Sequence, residues 1–187
     1  MHNSQKVAEN ISYIQNLFLK IGYYLPNNCS LDEIISFLDK EPNAYRSLAY
    51  ESAAYEIAYR DLKADLPLNS YKEFYIKKGN LHPFHMQIGL GWAFAKTEIL
   101  PDKYPLSLPL HTRQMVYDGF GYYHALFKER RTILNQFIPV DIFDSNLKGY
   151  DQGIGRRLWY ICKGDVQTLA RRINSFEQYR HSDLWRG

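Results

Sequence analysis

Glycine pairs set inside helical stretches constrain this chain more than any other feature of its sequence. Gly89-Leu90-Gly91, Gly119-Phe120-Gly121 and Gly153-Ile154-Gly155 each sit in a run that otherwise reads as helix, and Ser52-Ala53-Ala54 is a weaker form of the same device. A glycine in a helix interior costs about 1 kcal/mol relative to alanine, so each pair demands compensation, from close packing or from a ligand. The triplets begin 37, 30 and 34 residues apart, and Gly187 lies 34 residues beyond Gly153. Periods of roughly 30–40 residues with helix–turn–helix content mark stacked helical pairs. The expectation is therefore an all-α chain of about four tandem helix hairpins, solenoid-like or packed as a compact helical array. The small residues would let neighbouring helix backbones approach.

The punctuation of the chain agrees. Val7, Ile11, Ile14, Phe18 and Ile21 recur at helical spacing and predict a first helix over residues 7–24, ended by Pro26-Asn27-Asn28. Ser30 and Glu33 form a capping box for a short second helix, and Ser70 and Glu73 have the same spacing before residues 70–78. Between them, residues 46–64 form an alanine-rich helix. His82-Pro83 opens a helix to about residue 98, and Pro101, Pro105 and Pro109 mark a loop. A long helix follows over residues 110–130, with a further turn or two over 132–137. Asp144-Ser145-Asn146 reads as loop, residues 147–162 as helix, and Gly164-Asp165 as the break that caps a helix over 166–176. One more helix starts at residues 182–185. A strand at residues 138–143 is opposed by Pro139. Residues 1–45 are expected to form an N-terminal helical cap, and residues 46–187 the repeat region, ending where another copy would begin.

Composition narrows the function classes. A net charge of +3 over 187 residues gives no argument for nucleic acid. No stretch of about 18 apolar residues exists to span a membrane. Two cysteines, Cys29 and Cys162, make neither a disulfide framework nor a metal spacing, so a reducing cytoplasm is the default compartment.

A polar residue precedes each triplet: Glu51, Gln87, Asp118 and Gln152. Four positions later stand Tyr55, Gly91, Tyr122 and Arg156, and residues i and i+4 share a helix face. Stacked repeats would thus align Glu51, Tyr55, Gln87, Asp118, Tyr122, Gln152 and Arg156 along one surface, with Trp92 and Trp159 beside the glycine pairs. The same ladder can instead hold the repeats together through hydrogen bonds between them.

Several of these stretches resemble a bacterial family of uncharacterised function encoded in enediyne polyketide biosynthetic clusters and elsewhere. The matching residues are Tyr50-Glu51-Ser52-Ala53-Ala54, Gly89-Leu90-Gly91-Trp92-Ala93, Asp118-Gly119-Phe120-Gly121, Tyr150-Asp151-Gln152-Gly153-Ile154-Gly155-Arg156 with Leu158-Trp159, and Asp183-Leu184-Trp185 with Gly187. The resemblance implies association with secondary-metabolite assembly but carries over no reaction. The family pattern has glycine at the position of Ser52, histidine at that of Gln87, and a His-Glu pair near Tyr123-His124. Relatives continue past the Trp-x-Gly, which implies that this chain is a truncated or minimal version.

Other chemistry finds less support. His82 and His85 lack further ligands, and Pro83 makes the pair look like a helix start, so no metal is expected. His111, Asp118 and His124 lack the Glu-x-x-His spacing of di-iron bundles. A dinucleotide fingerprint fails because Phe94, His124 and Leu158 stand where a third small residue is needed, and no strand precedes them. Cys162 reads as a buried structural thiol. No cofactor is expected. Two main readings follow. In the first, the chain is an accessory or scaffold protein offering a concave aromatic and polar face to a protein partner or an apolar, polyketide-like ligand, and is compatible with an oligomer. In the second it is an enzyme on such a substrate, with Glu51, Asp118 and His124 as acid–base residues. A third is a remnant that folds without chemistry. An enzyme should enclose its carboxylates in a deep pocket with few neutralising partners. A scaffold should pair them, with Arg156 or with backbone.

Overall fold

Asp, Ser and Asn start helices as readily as they make turns, and this decides several boundaries. In the computed structural model, which describes residues 12–14, 16–22, 25, 29–103, 110–142 and 144–187, the described chain is all-helical. Residues 12–14 and 16–22 are helical (α1). There follow α2 (Leu31–Leu38), α3 (Asn43–Lys63), α4 (Asn69–Lys78), α5 (Pro83–Thr97), a 3₁₀ turn (Pro101–Lys103), α6 (Leu110–Phe127), a π-helical turn (Arg130–Leu134), α7 (Asp144–Ile161), α8 (Val166–Ile173), a second 3₁₀ turn (Gln178–Arg180) and α9 (His181–Leu184). The residues expected to begin and end the first helix, including Val7, Ile11 and Pro26-Asn27-Asn28, lie outside the described residues, as do Pro105, Pro109 and Phe143.

The chain forms two compact units, Met1–Gly89 and Leu90–Gly187, whose boundary falls within α5. The boundary expected at residue 45 falls inside α3. In the first unit, Leu17, Ile21, Leu38, Ala49, Tyr71 and Phe74 are buried. The capping box at α2 is formed: the Ser30 amide donates to Glu33 Oε2 at 2.7 Å and the Glu33 amide to Ser30 Oγ at 3.3 Å. The second expected box is not. No side chain of residue 68, the N-cap of α4, caps that helix; Asp61, one helix back, takes the role. Its carboxylate accepts from the amides of Ser70 at 3.0 Å and Tyr71 at 3.3 Å and from Ser70 Oγ at 2.9 Å. A full negative charge complements the helix N-terminus better than a serine hydroxyl does.

In the second unit, Asp144, Ser145 and Asn146 form the first turn of α7 rather than a loop. Asn146 Nδ2 donates to Asp102 at 2.9 Å, which fixes that turn against the 3₁₀ segment. The long helix expected over residues 110–130 closes at Phe127, and the chain then widens into the π turn. Thr132 Oγ1 donates to the His124 carbonyl at 3.1 Å, and the Asn135 amide reaches back to the Arg130 carbonyl at 3.0 Å. Gln136, at φ +50°, links this turn to the C-terminal segment: its Nε2 donates to Ser175 O at 2.6 Å and its Oε1 accepts from the Glu177 amide at 3.2 Å. The cap of α8 is as expected, with the Thr168 amide on Asp165 at 3.1 Å.

The glycine pairs are contact points between backbones. A methyl group added at Gly153 would lie 2.6 Å from the Tyr122 nitrogen and 2.9 Å from the Asp118 carbonyl carbon, and closer still to the Asp118 oxygen. One added at Gly155 would lie 2.7 Å from the Leu184 carbonyl carbon. A register recurs. The first glycine of a triplet sits over the carbonyl of the polar residue before the preceding triplet, as Gly89 does over Glu51, Gly153 over Asp118 and Gly187 over Gln152. The second sits over the carbonyl three residues before the next first glycine, as Gly121 does over Tyr150 and Gly155 over Leu184. Bare Cα–H groups against carbonyl oxygens make weak but repeated contacts, and the apolar flanks Phe120, Tyr150, Ile154, Leu158 and Leu184 are buried around them.

Candidate functional site

Because the glycines draw helices together, polar and aromatic residues beside them are brought close: in the second unit Trp92, Tyr122 and Arg156 are half-buried and converge on the buried Asp118. Asp118 on α6 is 2% exposed and forms an ion pair with Arg156 on α7. The Arg156 guanidinium lies 4.6 Å from the centre of the Tyr122 ring, one turn along α6 from Asp118. Tyr122 stacks on Trp92 at 5.4 Å and 25°. Tyr160 meets Tyr122 edge-on at 6.4 Å, and Trp92 meets Tyr123 and Phe127 edge-on at 5.8 and 6.3 Å. Tyr160 is 45% and Phe127 61% exposed, so the strip has a dry end at Asp118 and wet ends at these rings. Burial pushes the Asp118 carboxyl up from its ordinary value, and the Arg156 guanidinium pulls it back. The expected partners Asp118, Tyr122, Arg156 and Trp92 are thus brought together. Gln152 contributes its backbone carbonyl, under Gly187. Trp159 packs instead on Gly164, whose φ of +74° turns the chain beneath the indole. Tyr160, the ring that does join the strip, follows Gln152 and Arg156 at i, i+4, i+8, a signal present in the sequence.

His124, six residues from Asp118 on α6, belongs to a different environment. Its Nδ1 lies 3.2 Å from the Tyr150 hydroxyl, which also reaches the Phe137 carbonyl at 3.4 Å. The imidazole is buried, and burial, with Lys128 and Arg131 nearby, lowers its pKa to about 4. It is neutral at pH 7. A second buried ion pair, which no local sequence pattern marks, joins Asp151 of α7 to Arg180, both side chains 1% exposed. Arg180 Nε donates to Asp151 at 2.9 Å and its Nη1 to the Gln136 carbonyl at 3.1 Å. Burial raises the Asp151 carboxyl, partly offset by Arg180. This pair fastens the C-terminal turn to α7.

In the first unit Glu51 is buried, and its carbonyl seats Gly89. Tyr55 stacks on Tyr59 at 5.9 Å, and Gln87 Nε2 donates to the Tyr75 hydroxyl at 3.1 Å. A cleft of about 290 Å³ opens in this unit, lined by Cys29, Ile34, Ile57, Arg60, Asp61 and Glu73 among others; its lining includes neither Glu51 nor Gln87. Among the described residues, no group of three or more His, Cys, Asp or Glu side chains could hold a metal ion, and no helix is long and apolar enough to cross a membrane.

An all-α protein with paired buried charges beside an aromatic strip is the class these features define. The chain belongs to the family described as "Protein of unknown function (DUF1702)", whose model matches residues 1–187. No curated protein and no solved structure matches it.

Proposed function

We propose that this is an accessory binding protein of secondary-metabolite, polyketide-type biosynthesis, which receives a flat, conjugated, largely apolar ligand on the strip formed by Trp92, Tyr122, Arg156 and Tyr160. The observation that carries this reading is the pairing of Asp118 with Arg156, which itself lies over Tyr122. A carboxylate so neutralised suits a fixed wall better than a proton carrier, whereas stacked and edge-on rings suit a planar guest. Each aromatic contact is worth about 0.5–1.5 kcal/mol beyond the area it covers, and the guanidinium adds a polar edge that fixes orientation. The link to polyketide assembly rests on the resemblance of the glycine-pair motifs. A cytoplasmic setting follows from the same reading, as does the alternative of an apolar protein segment on the strip.

The test is a titration with cis-parinaric acid, a conjugated polyene that fluoresces on binding. The expected result is saturable binding that quenches tryptophan emission and weakens about two- to tenfold in Tyr122→Ala, the loss of one stacked ring. Absence of saturable binding to the folded protein, or equal binding by Tyr122→Ala, would overturn the proposal.

A further inference from the structure

In the first unit a serine and a histidine face each other across two helices. Ser47, in the second turn of α3, has its Oγ 3.1 Å from Nδ1 of His82, the residue before Pro83 at the start of α5. Neither side chain is sealed off: both residues are half-buried. The imidazole lies flat on the Tyr50 ring, 4.2 Å between centres and 17° between planes. Tyr50 follows Ser47 by three residues, so both present to one face of α3. Tyr50 is itself fixed, stacked on Phe74 at 5.6 Å and donating its hydroxyl to Asp39 at 2.9 Å. Lys78 donates to the other Asp39 oxygen at 2.8 Å. The charged groups acting on His82 are Asp39, Lys78 and Arg46; burial, then the two cations, lower the imidazole pKa, with Asp39 opposing. His82 is therefore a base whose neutral form burial favours, held in plane, within hydrogen-bond reach of a hydroxyl, and with cations near it. Those are the parts an activated nucleophile requires.

We propose that Ser47 and His82 form an acyl-transfer dyad that takes the acyl group of a carboxylic ester, a second activity separate from the aromatic strip. Ser47 Oγ bonds to the ester carbonyl carbon while Nδ1 of His82, its proton on Nε2, accepts the hydroxyl proton. The charge gathering on the carbonyl oxygen is met by the field of Lys78 and Arg46. The carbon–oxygen bond to the alcohol then breaks, and the alcohol leaves with the proton from Nδ1. Water, deprotonated by the same nitrogen, attacks the acyl-serine and releases the acid, restoring the Ser47 hydroxyl. Tyr50 is a positioning residue that acts through His82.

The test uses a fluorophosphonate, whose phosphorus is attacked by Ser47 with loss of fluoride, read by intact-protein mass and peptide mapping of the full chain. The expected result is a single adduct on Ser47, absent from Ser47→Ala. The labelling rate should rise with pH through a midpoint below the ordinary histidine value of about 6.5 and fall roughly 100-fold or more in His82→Gln, the size of a general-base contribution. Tyr50→Leu should move that midpoint up while Ser47 still reacts. p-Nitrophenyl acetate should be hydrolysed with the same dependence. No adduct on the wild-type chain, an adduct elsewhere than Ser47, or labelling of Ser47 unchanged in a folded His82→Gln would each overturn the proposal. The Ser47–His82 bond would then serve only to hold the start of α5 on α3.

Discussion

Replacing Gly153 with alanine adds one carbon at a point of close approach between α6 and α7. By helix propensity alone the change should stabilise the protein by about 1 kcal/mol. The geometry says otherwise. The new methyl would sit 2.6 Å from the Tyr122 nitrogen and 2.9 Å from the Asp118 carbonyl carbon, where ordinary contact begins near 3.4 Å. The obstruction is backbone, which has no rotamer to change, so the helices must part by roughly an ångström at that level. Parting them also loosens Gly121 over Tyr150 and Gly149 over Gln114, which lie in the same helix pair. Overpacking of this kind costs about 1–3 kcal/mol and occasionally more, and the loss of neighbouring contacts places this site at the upper end. After subtracting the propensity gain, a net loss of about 2 kcal/mol remains. For a chain of this size that is a fall in melting temperature of about 4–8 °C. Thermal unfolding followed by circular dichroism measures it, with the exposed Lys148→Ala on the same helix as control. A Gly153→Ala protein that melts at or above the wild-type temperature would refute the close-approach account.

Arg180→Met should destabilise by about 3–5 kcal/mol, because it leaves Asp151 buried and unpaired, and Asp151→Leu in the same chain should recover much of the loss; urea unfolding of the three proteins checks this. Stability should fall as pH drops from about 6.5 toward about 4, because the unfolded chain takes up a proton on His124 that the folded chain, with its pKa near 4, refuses. That contribution is complete above the unfolded value and amounts to about 3 kcal/mol. Asp118 and Asp151, raised by burial, act in the opposite sense, losing stability as pH rises, so the comparison of wild type with His124→Gln isolates the histidine. Ser30→Ala should cost about 1 kcal/mol through the lost capping box at α2.

What the sequence made legible was the part governed by local rules and by spacing. The glycine pairs pointed to backbone contact because they recur at the 30–37-residue spacing of stacked helical pairs, and Ser30 with Glu33 and Asp165 with Thr168 are caps that need only their own chain segment. The Ser70–Glu73 spacing misled because Asp61, distant by nine residues and delivered by the preceding helix, competes for the same amides. Asp144-Ser145-Asn146 misled because the same side chains start helices and make turns. In the site, Asp118, Tyr122 and Arg156 were foreseen from the i, i+4 relation together with the repeat spacing, which places residues of different helices in register. Trp159 stands out in the sequence because it belongs to the Leu158-Trp159 motif, whereas the helical period from Gln152 and Arg156 leads to Tyr160. Arg180 and His82 could not be placed, since Arg180 reaches Asp151 over 29 residues and His82 reaches Ser47 over 35, and no local pattern encodes either pairing.

The most direct measurement of the binding claim is native mass spectrometry of the protein purified from the cells that make it, alongside Trp92→Ala and Tyr122→Ala. The account predicts a wild-type species heavier than the bare chain by one apolar, conjugated molecule, and bare-chain mass for both variants. A bare wild-type chain, or an adduct that both variants keep, would contradict it.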